Sequence, residues 1–426
     1  MPQAVMGNGN GVRVQVTVPA FGFFFLKPRK TLSFRGYLFG IRRAGMKLVF
    51  ASDSFKGTVT SEQTVELLTR AAHEVFGPCE TAGVPVADGG EGTADAVILA
   101  RKGKKVFTNV HGPLMEEVPA YYGKLSETEA VLEMAQASGL PMVPEKLRNP
   151  LNTTTYGTGE LVMAALDAGF TDISIAIGGS ATNDGGMGFA SALGIRFLDA
   201  DGNVLEGKGS ELEKVARIDV SGLDERAGNA HFTVMCDVTN PLCGKDGATY
   251  TFGRQKGGTP EILDRLEKGM RNYRDVIIKE FGVNPDNTPG TGAAGGLGAA
   301  LKIFLHAEMK SGIETVLDMI NFDKLISGAD LVVTGEGRTD WHSCFGKVMQ
   351  GVGDRAGKHN IPVIALCGGL GKGYDRIYAH GIDSIMTTVD GPMPLSEAME
   401  NAEELYYKGA VRMFRMINAG IRIHSN

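Results

Sequence analysis

In this 426-residue chain, carboxylates and glycines fall together, repeatedly, at the ends of apolar runs. Asp53-Ser54-Phe55-Lys56-Gly57 follows one run and Asp88-Gly89-Gly90-Glu91-Gly92-Thr93 a second. Gly178-Gly179-Ser180-Ala181-Thr182-Asn183-Asp184-Gly185-Gly186 follows a third, and Asp237-Val238-Thr239-Asn240 a fourth. Gly335-Glu336-Gly337-Arg338-Thr339-Asp340 follows a fifth, and a glycine cluster spans Gly292 to Gly298 at a helix entry. Backbone N–H groups freed by glycine can cradle phosphate oxygens, above all at a helix N-terminus. Neighbouring carboxylates can hold magnesium and accept the proton of an attacking hydroxyl. Lys56, Arg338 and Lys347 can neutralise a transferring phosphoryl group and an acidic substrate. Any one cluster also reads as a helix cap or a tight turn. Their repetition suits a kinase better than a hydrolase or a dehydrogenase.

Familiar alternatives lack their signatures. No GxxxxGK[ST] string is present, and no clear strand precedes Gly292, Gly295 and Gly296, so neither a P-loop nor a dinucleotide fingerprint is supported. Gly178-Gly-Ser-Ala-Thr182 is not a GxSxG nucleophile elbow. His342, beside Arg338 and Asp340, reads as a solvated loop histidine.

The elements that must position these clusters follow an α/β pattern. Strands are predicted at 47–52, 82–87, 105–110, 118–122, 130–134, 173–177, 232–236, 331–334, 363–367 and 384–388. Thr60-Ser61-Glu62-Gln63 offers a helix start, with apolar residues at helical spacing to Val75. The later strands alternate with helices, the signature of βαβ units and a parallel sheet. The fold expected is two α/β domains: a Rossmann-like open parallel sheet from 46–104 plus 289–426, with a second α/β domain, 105–288, inserted. In such sheets ligands bind beyond the carboxyl ends of the strands, and a cleft between two domains suits a transfer that must exclude water.

Composition narrows the class. Charged residues make up 22%, ordinary for a globular chain, while 59 glycines are an excess that turns and ligand loops can absorb. A net charge of −6 argues against a nucleic-acid partner. Five cysteines without CxxC spacing read as reduced cytosolic thiols, giving a cytoplasmic expectation. The first 45 residues hold seven basic side chains and no Asp or Glu. Their apolar run Phe21–Leu26 is too short to span a bilayer, so no membrane partner is expected. An Arg-rich, acid-free leader resembles an organelle transit peptide. Met46-Lys-Leu-Val-Phe50, however, looks like a protein beginning on its first strand, so residues 1–45 are read as an extraneous or unstructured leader.

Longer strings carry a resemblance. Val84-Pro-Val-Ala-Asp-Gly-Gly-Glu-Gly-Thr93, Ile177-Gly-Gly-Ser-Ala-Thr-Asn-Asp-Gly-Gly186, Cys236-Asp-Val-Thr-Asn-Pro-Leu242, Phe252-Gly253 with Gln255-Lys256-Gly257, Gly292-Ala-Ala-Gly-Gly-Leu-Gly298 and Gly335-Glu-Gly-Arg338 occur in order. Together they resemble the bacterial glycerate kinase family, type 1, from Met46 to about Gly420. The family pattern commonly has Pro where this chain has Ser52, and the stretch after Asp340 is variable.

The resemblance implies ATP- and Mg2+-dependent phosphorylation of D-glycerate to 2-phosphoglycerate, in glyoxylate or sugar-diacid breakdown. Two other readings stay open: a kinase giving 3-phosphoglycerate or taking another hydroxy acid, and a non-catalytic nucleotide-binding protein. Homodimerisation is left open as well. Asp184 or Asp88, then Asp53, are candidate acceptors of the hydroxyl proton, with Lys56 and Arg338 as catalytic cations. Asp53, Ser54, Lys56, Arg338 and Lys347 are candidates for the substrate. Gly178, Gly179, Ser180, Thr182, Gly185, Gly186, Gly295 and Gly296 are candidates for nucleotide phosphates. Asp237, Glu336 and Asp340 are candidates for the metal.

Overall fold

The computed structural model describes residues 45–55, 57–344 and 346–424. All but the last residue of the leader read at 1–45, and Lys56, therefore lie outside the described residues. In chain order the principal strands are β1 (Lys47–Phe50), β2 (Glu80–Gly83), β3 (Lys104–His111), β4 (Glu117–Lys124), β5 (Glu129–Glu133), β6 (Asp172–Ala176), β7 (His231–Met235), β8 (Glu308–Lys310), β9 (Leu331–Thr334), β10 (Val363–Cys367) and β11 (Ser384–Thr387).

They form two large sheets. The first runs β11-β10-β9-β1-β2 and is parallel throughout. The second runs β8-β7-β6-β5-β4-β3; its β5 to β8 half is parallel and its β3-β4-β5 half antiparallel. Parallel strands need long crossovers and are buried on both faces. Accordingly β9 reads Leu-Val-Val-Thr with every residue buried.

Local signals explain several boundaries. Helix α1 (Ser61–Phe76) begins at the helix start read from the sequence, which the structure shows to be a capping box: Thr60 Oγ1 accepts the Gln63 amide at 3.1 Å, and Gln63 Oε1 accepts the Thr60 amide at 2.8 Å. The strand expected at 82–87 comes earlier and is shorter. Val84 still donates to Phe50 O at 2.9 Å, but Pro85 has no N–H to continue the ladder.

The return to the first sheet also comes later than residue 289. The helix Leu297–Phe304 buries Leu297, Leu301 and Phe304 in the same core as Ile173, Ile175 and Phe232. β8 then pairs with β7, and only after Lys310 does the chain go back. A shared core joins the two sheets: helix α2 (Thr93–Ala100) contributes Ala94, Val97 and Ile98, which pack with Val131, Ala176 and Met235 of the second sheet. Among the described residues, no helix is long and apolar enough to cross a membrane.

Candidate active site

The carboxyl ends of strands from both sheets converge on one cleft. A cavity of about 480 Å³ is lined by Asp88, Gly89 and Gly90 after β2, Gly178, Gly179 and Ser180 after β6, Asp237 after β7, and Lys347. A neighbouring cavity of about 450 Å³ is lined by Asp53, Ser54, Glu336, Arg338 and Lys347, with an apolar wall that includes Phe55, Leu395 and Met399. Lys347 faces both.

Glycine makes the convergence sterically possible. A Cβ on Gly178 would stand 2.7 Å from Gly90 Cα, and one on Gly346 would stand 2.9 Å from the Asp237 carboxylate. Real Cβ atoms do not tolerate such approaches, so the Gly178 and Gly90 loops meet backbone to backbone and the Asp237 side chain packs directly on Gly346.

The cleft carboxylates are held but not neutralised. Asp237 Oδ1 accepts Ser311 Oγ and the Gly312 amide, both at 2.8 Å. Burial pushes Asp237 up to about 6, its hydrogen bonds oppose this, and the nearby Asp88 adds to the rise. Burial likewise raises Glu336, opposed by a hydrogen bond from Ser343 and by the charge of Lys347. Asp88 Oδ1 accepts the Gly90 amide at 3.2 Å, and Asp53 Oδ1 accepts the Ser54 amide at 2.7 Å.

Several expected site residues lie elsewhere. Asp184 is fully buried, and its carboxylate is saturated: Oδ2 accepts Thr155 N and Oγ1, each at 2.7 Å, and Gly188 N at 3.3 Å, while Oδ1 accepts Gly186 N at 3.1 Å. It lines neither cavity, whereas the other two candidate acceptors do, Asp88 the larger and Asp53 its neighbour. Thr182 is buried too, and Gly185, Gly186, Gly295 and Gly296 face protein rather than a cavity. A Cβ on Gly186 would meet Ala300, and one on Gly295 would meet Thr182 O. These glycines let two loops of one lobe pack, which leaves Gly178, Gly179 and Ser180 as the part that reaches the cleft.

The expected metal trio also divides. Asp340 turns toward His342, accepting its amide at 2.9 Å, and lies 4.0 Å from exposed Arg338. Among the described residues, no three His, Cys, Asp or Glu side chains gather as a metal cage.

Two buried groups carry chemistry that the sequence reading did not assign. Lys256 is 2% exposed, lines the larger cavity, and donates to Ser180 Oγ at 2.7 Å and Thr182 O at 2.6 Å. Burial pulls its ammonium down to about 7, against the pull of Asp184. The Gln255-Lys256-Gly257 string marked the position but suggested no role. Glu133, 1% exposed at the end of β5, accepts the amides of Gly92 and Ala94. Its one signal is a charge closing the otherwise apolar run Ala130–Leu132.

Comparison with known proteins agrees with this architecture. The family model described as "Glycerate kinase family" matches residues 48–418. A glycerate kinase of Bacillus subtilis (strain 168) is 44% identical over 379 residues, 89% of this chain and 98% of that protein. A glycerate 2-kinase of Escherichia coli (strain K12) is 43% identical over the same shares of the two chains. A crystal structure assigned to glycerate kinase 2 of Salmonella typhimurium LT2 superposes with a TM-score of 0.79 at 42% identity, covering 89% of this chain and all of that one.

Proposed function

The chain belongs to the glycerate kinase family, and from that premise we propose that it transfers the γ-phosphoryl group of ATP to D-glycerate, giving 2-phosphoglycerate and ADP. The supporting observation is the gathering of Asp88, Asp237, Glu336 and Lys347 beside the Gly178–Ser180 turn. The oxygen–phosphorus bond to the 2-hydroxyl forms as the bond from phosphorus to the bridging oxygen of ADP breaks. The hydroxyl proton passes to the Asp88 carboxylate, which carries no ion pair among the described residues.

Lys347 stands between the two cavities, where it can neutralise the phosphoryl group in flight. Gly178 and Gly179 present backbone to phosphate oxygens. Lys256 occupies a lone pair of Ser180 Oγ, which leaves that hydroxyl's own proton free to donate to an anion. Arg338 and Ser54 are suited to the substrate carboxylate at the second cavity.

The donor set fits Mg2+. Asp237 and Asp88 repel each other across the cleft, and a hard cation that takes one or two carboxylates and completes its shell with phosphate and water relieves that repulsion. Asp237 and Glu336 would hold it, and the chemistry it would supply is neutralisation of charge on the β- and γ-phosphates. A pathway role in glyoxylate or sugar-diacid breakdown is what the family resemblance implies.

The test is ADP release measured across a panel of hydroxy acids, with NMR of the product. D-glycerate should stimulate release and yield the 2-phosphate. Release no greater with glycerate than without it, or a 3-phosphate product, would overturn the reading.

A further inference from the structure

We propose that Glu133 is a positioning residue for the reaction: from the second lobe it clamps the loop of the first lobe that carries Asp88. The inference rests on the reading of Asp88 as the proton acceptor. Helix α2 begins at Thr93, and its N-cap, Gly92, sits at φ 85° with no side chain to cap the exposed amides. Helix starts are usually capped by a local Ser, Thr, Asp or Asn. Here the cap comes from 41 residues away in sequence: Glu133 Oε1 accepts Gly92 N at 3.0 Å and Oε2 accepts Ala94 N at 2.9 Å.

Nothing else among the described residues compensates this carboxylate. It forms no ion pair there, and burial drives it up to about 7, with the two amides opposing and Asp95 and Glu91 adding to the rise. At that φ a serine in place of Gly92 would be strained, so the cap has to come from outside the loop, even at the cost of burying a carboxylate without a cation. What the remote cap adds is attachment: it ties the start of α2 to the end of β5 in the other sheet.

The loop between β2 and α2 is fixed on its other side as well. Gly178, which follows β6, the neighbour of β5, donates to Gly89 O at 3.4 Å, and its Cα leaves no room for a Cβ against Gly90. Residues 88–92 are therefore gripped between two adjacent strand ends of the second lobe. That grip adds to what Asp88's own lobe provides, where β2 is an edge strand and Ser61 Oγ donates to Val86 O at 3.2 Å. A shift of the carboxylate by about an ångström is enough to cost roughly a hundredfold in rate.

The test is a double-mutant cycle of Glu133→Gln with Asp88→Asn, run beside amide hydrogen exchange on the full chain. Gln keeps the size but offers one carbonyl to two donors. Glu133→Gln should lower kcat tenfold or more with KM for ATP within twofold. In the Asp88→Asn background the same change should cost less than threefold, because residues that act as a unit are not additive. Exchange of amides 89–94 should accelerate in Glu133→Gln irrespective of activity. Multiplicative effects in the cycle, or unchanged exchange, would overturn the proposal. A wild-type enzyme inactive on glycerate would instead overturn the reading of Asp88, while the exchange result would still decide the clamp. Glu133→Asp, which keeps the charge and shortens the reach, goes through the same measurements should Glu133→Gln fail to fold.

Discussion

The tripeptide Asp-Gly-Gly occurs at 88–90 and again at 184–186. Both aspartates make the same local bond, accepting the amide two residues on, at 3.2 Å for Asp88 and 3.1 Å for Asp184. There the likeness ends. Asp88 lines the cleft, whereas Asp184 is sealed under Thr155 and the start of the helix Met187–Ala192. The first glycine of each pair has positive φ, yet Gly89 lies against Gly312 and Met235 at the lobe junction while Gly185 lies against the ring of Tyr273 in the core. One sequence motif therefore serves two ends: presenting a carboxylate to an open cleft and tying loops together inside a lobe. Local backbone chemistry is common to both, and tertiary partners decide which it is.

The largest effect that sharpens this contrast is expected at Asp88. Asp88→Asn removes the proton acceptor while keeping the shape, and kcat should fall by roughly a hundredfold or more, as for loss of a general base. The melting temperature should barely move, because the side chain makes one local hydrogen bond. Steady-state kinetics with calorimetry on the same preparation checks both halves. Turnover near wild type would pass the acceptor role to Asp53.

Asp184→Asn should show the reverse. An amide in that position turns an N–H toward donors that a carboxylate satisfied, and buried polar mismatches of this kind cost about 1–3 kcal/mol. The denaturant midpoint should drop accordingly, while kcat per folded molecule stays within about threefold. A hundredfold loss of kcat at unchanged stability would break the comparison and return Asp184 to the chemistry.

These two residues show what was legible in the sequence. The periodicity and the turns located ten of the eleven principal strands to within a few residues, because apolar runs and caps are local, and missed the three-residue β8; the helix start at Thr60 was read directly. The strand-end loops named most of the cleft, Asp53, Asp88, Asp237, Glu336, Arg338 and Lys347, since ligands collect beyond such ends. Hidden was everything set by distant partners. Thr155 lies 29 residues from Asp184, Glu133 caps a helix 41 residues away, and Lys256 reaches Ser180 across 76. The same cause misplaced the domain return, since the helix Leu297–Phe304 reads as amphipathic wherever it packs.

The smallest effect, and the finest probe of the buried loop, is expected at Lys256. Its ammonium ordinarily titrates near 10.5, and burial lowers it to about 7 in the folded protein. Between those values the unfolded chain holds a proton that the folded chain has released. Stability then rises with pH, because the unfolded state binds the greater number of protons. Below about 7 both states are charged, and the unfavourable burial of the ammonium is felt in full; above about 10.5 both are neutral and the penalty is gone. Lys256→Met removes the titration while filling much of the same space. Other groups titrate over this range, so the informative quantity is the difference between the two proteins. From pH 7 to 9 the melting temperature of the wild type should gain a few degrees relative to Lys256→Met. Parallel curves would mean that Lys256 keeps its proton in the folded state, held by Ser180, Thr182 and the charge of Asp184. The buried side of the Gly178–Gly186 loop would then hold a charged, fully hydrogen-bonded ammonium, and its difference from the open carboxylates of the cleft would be sharper still.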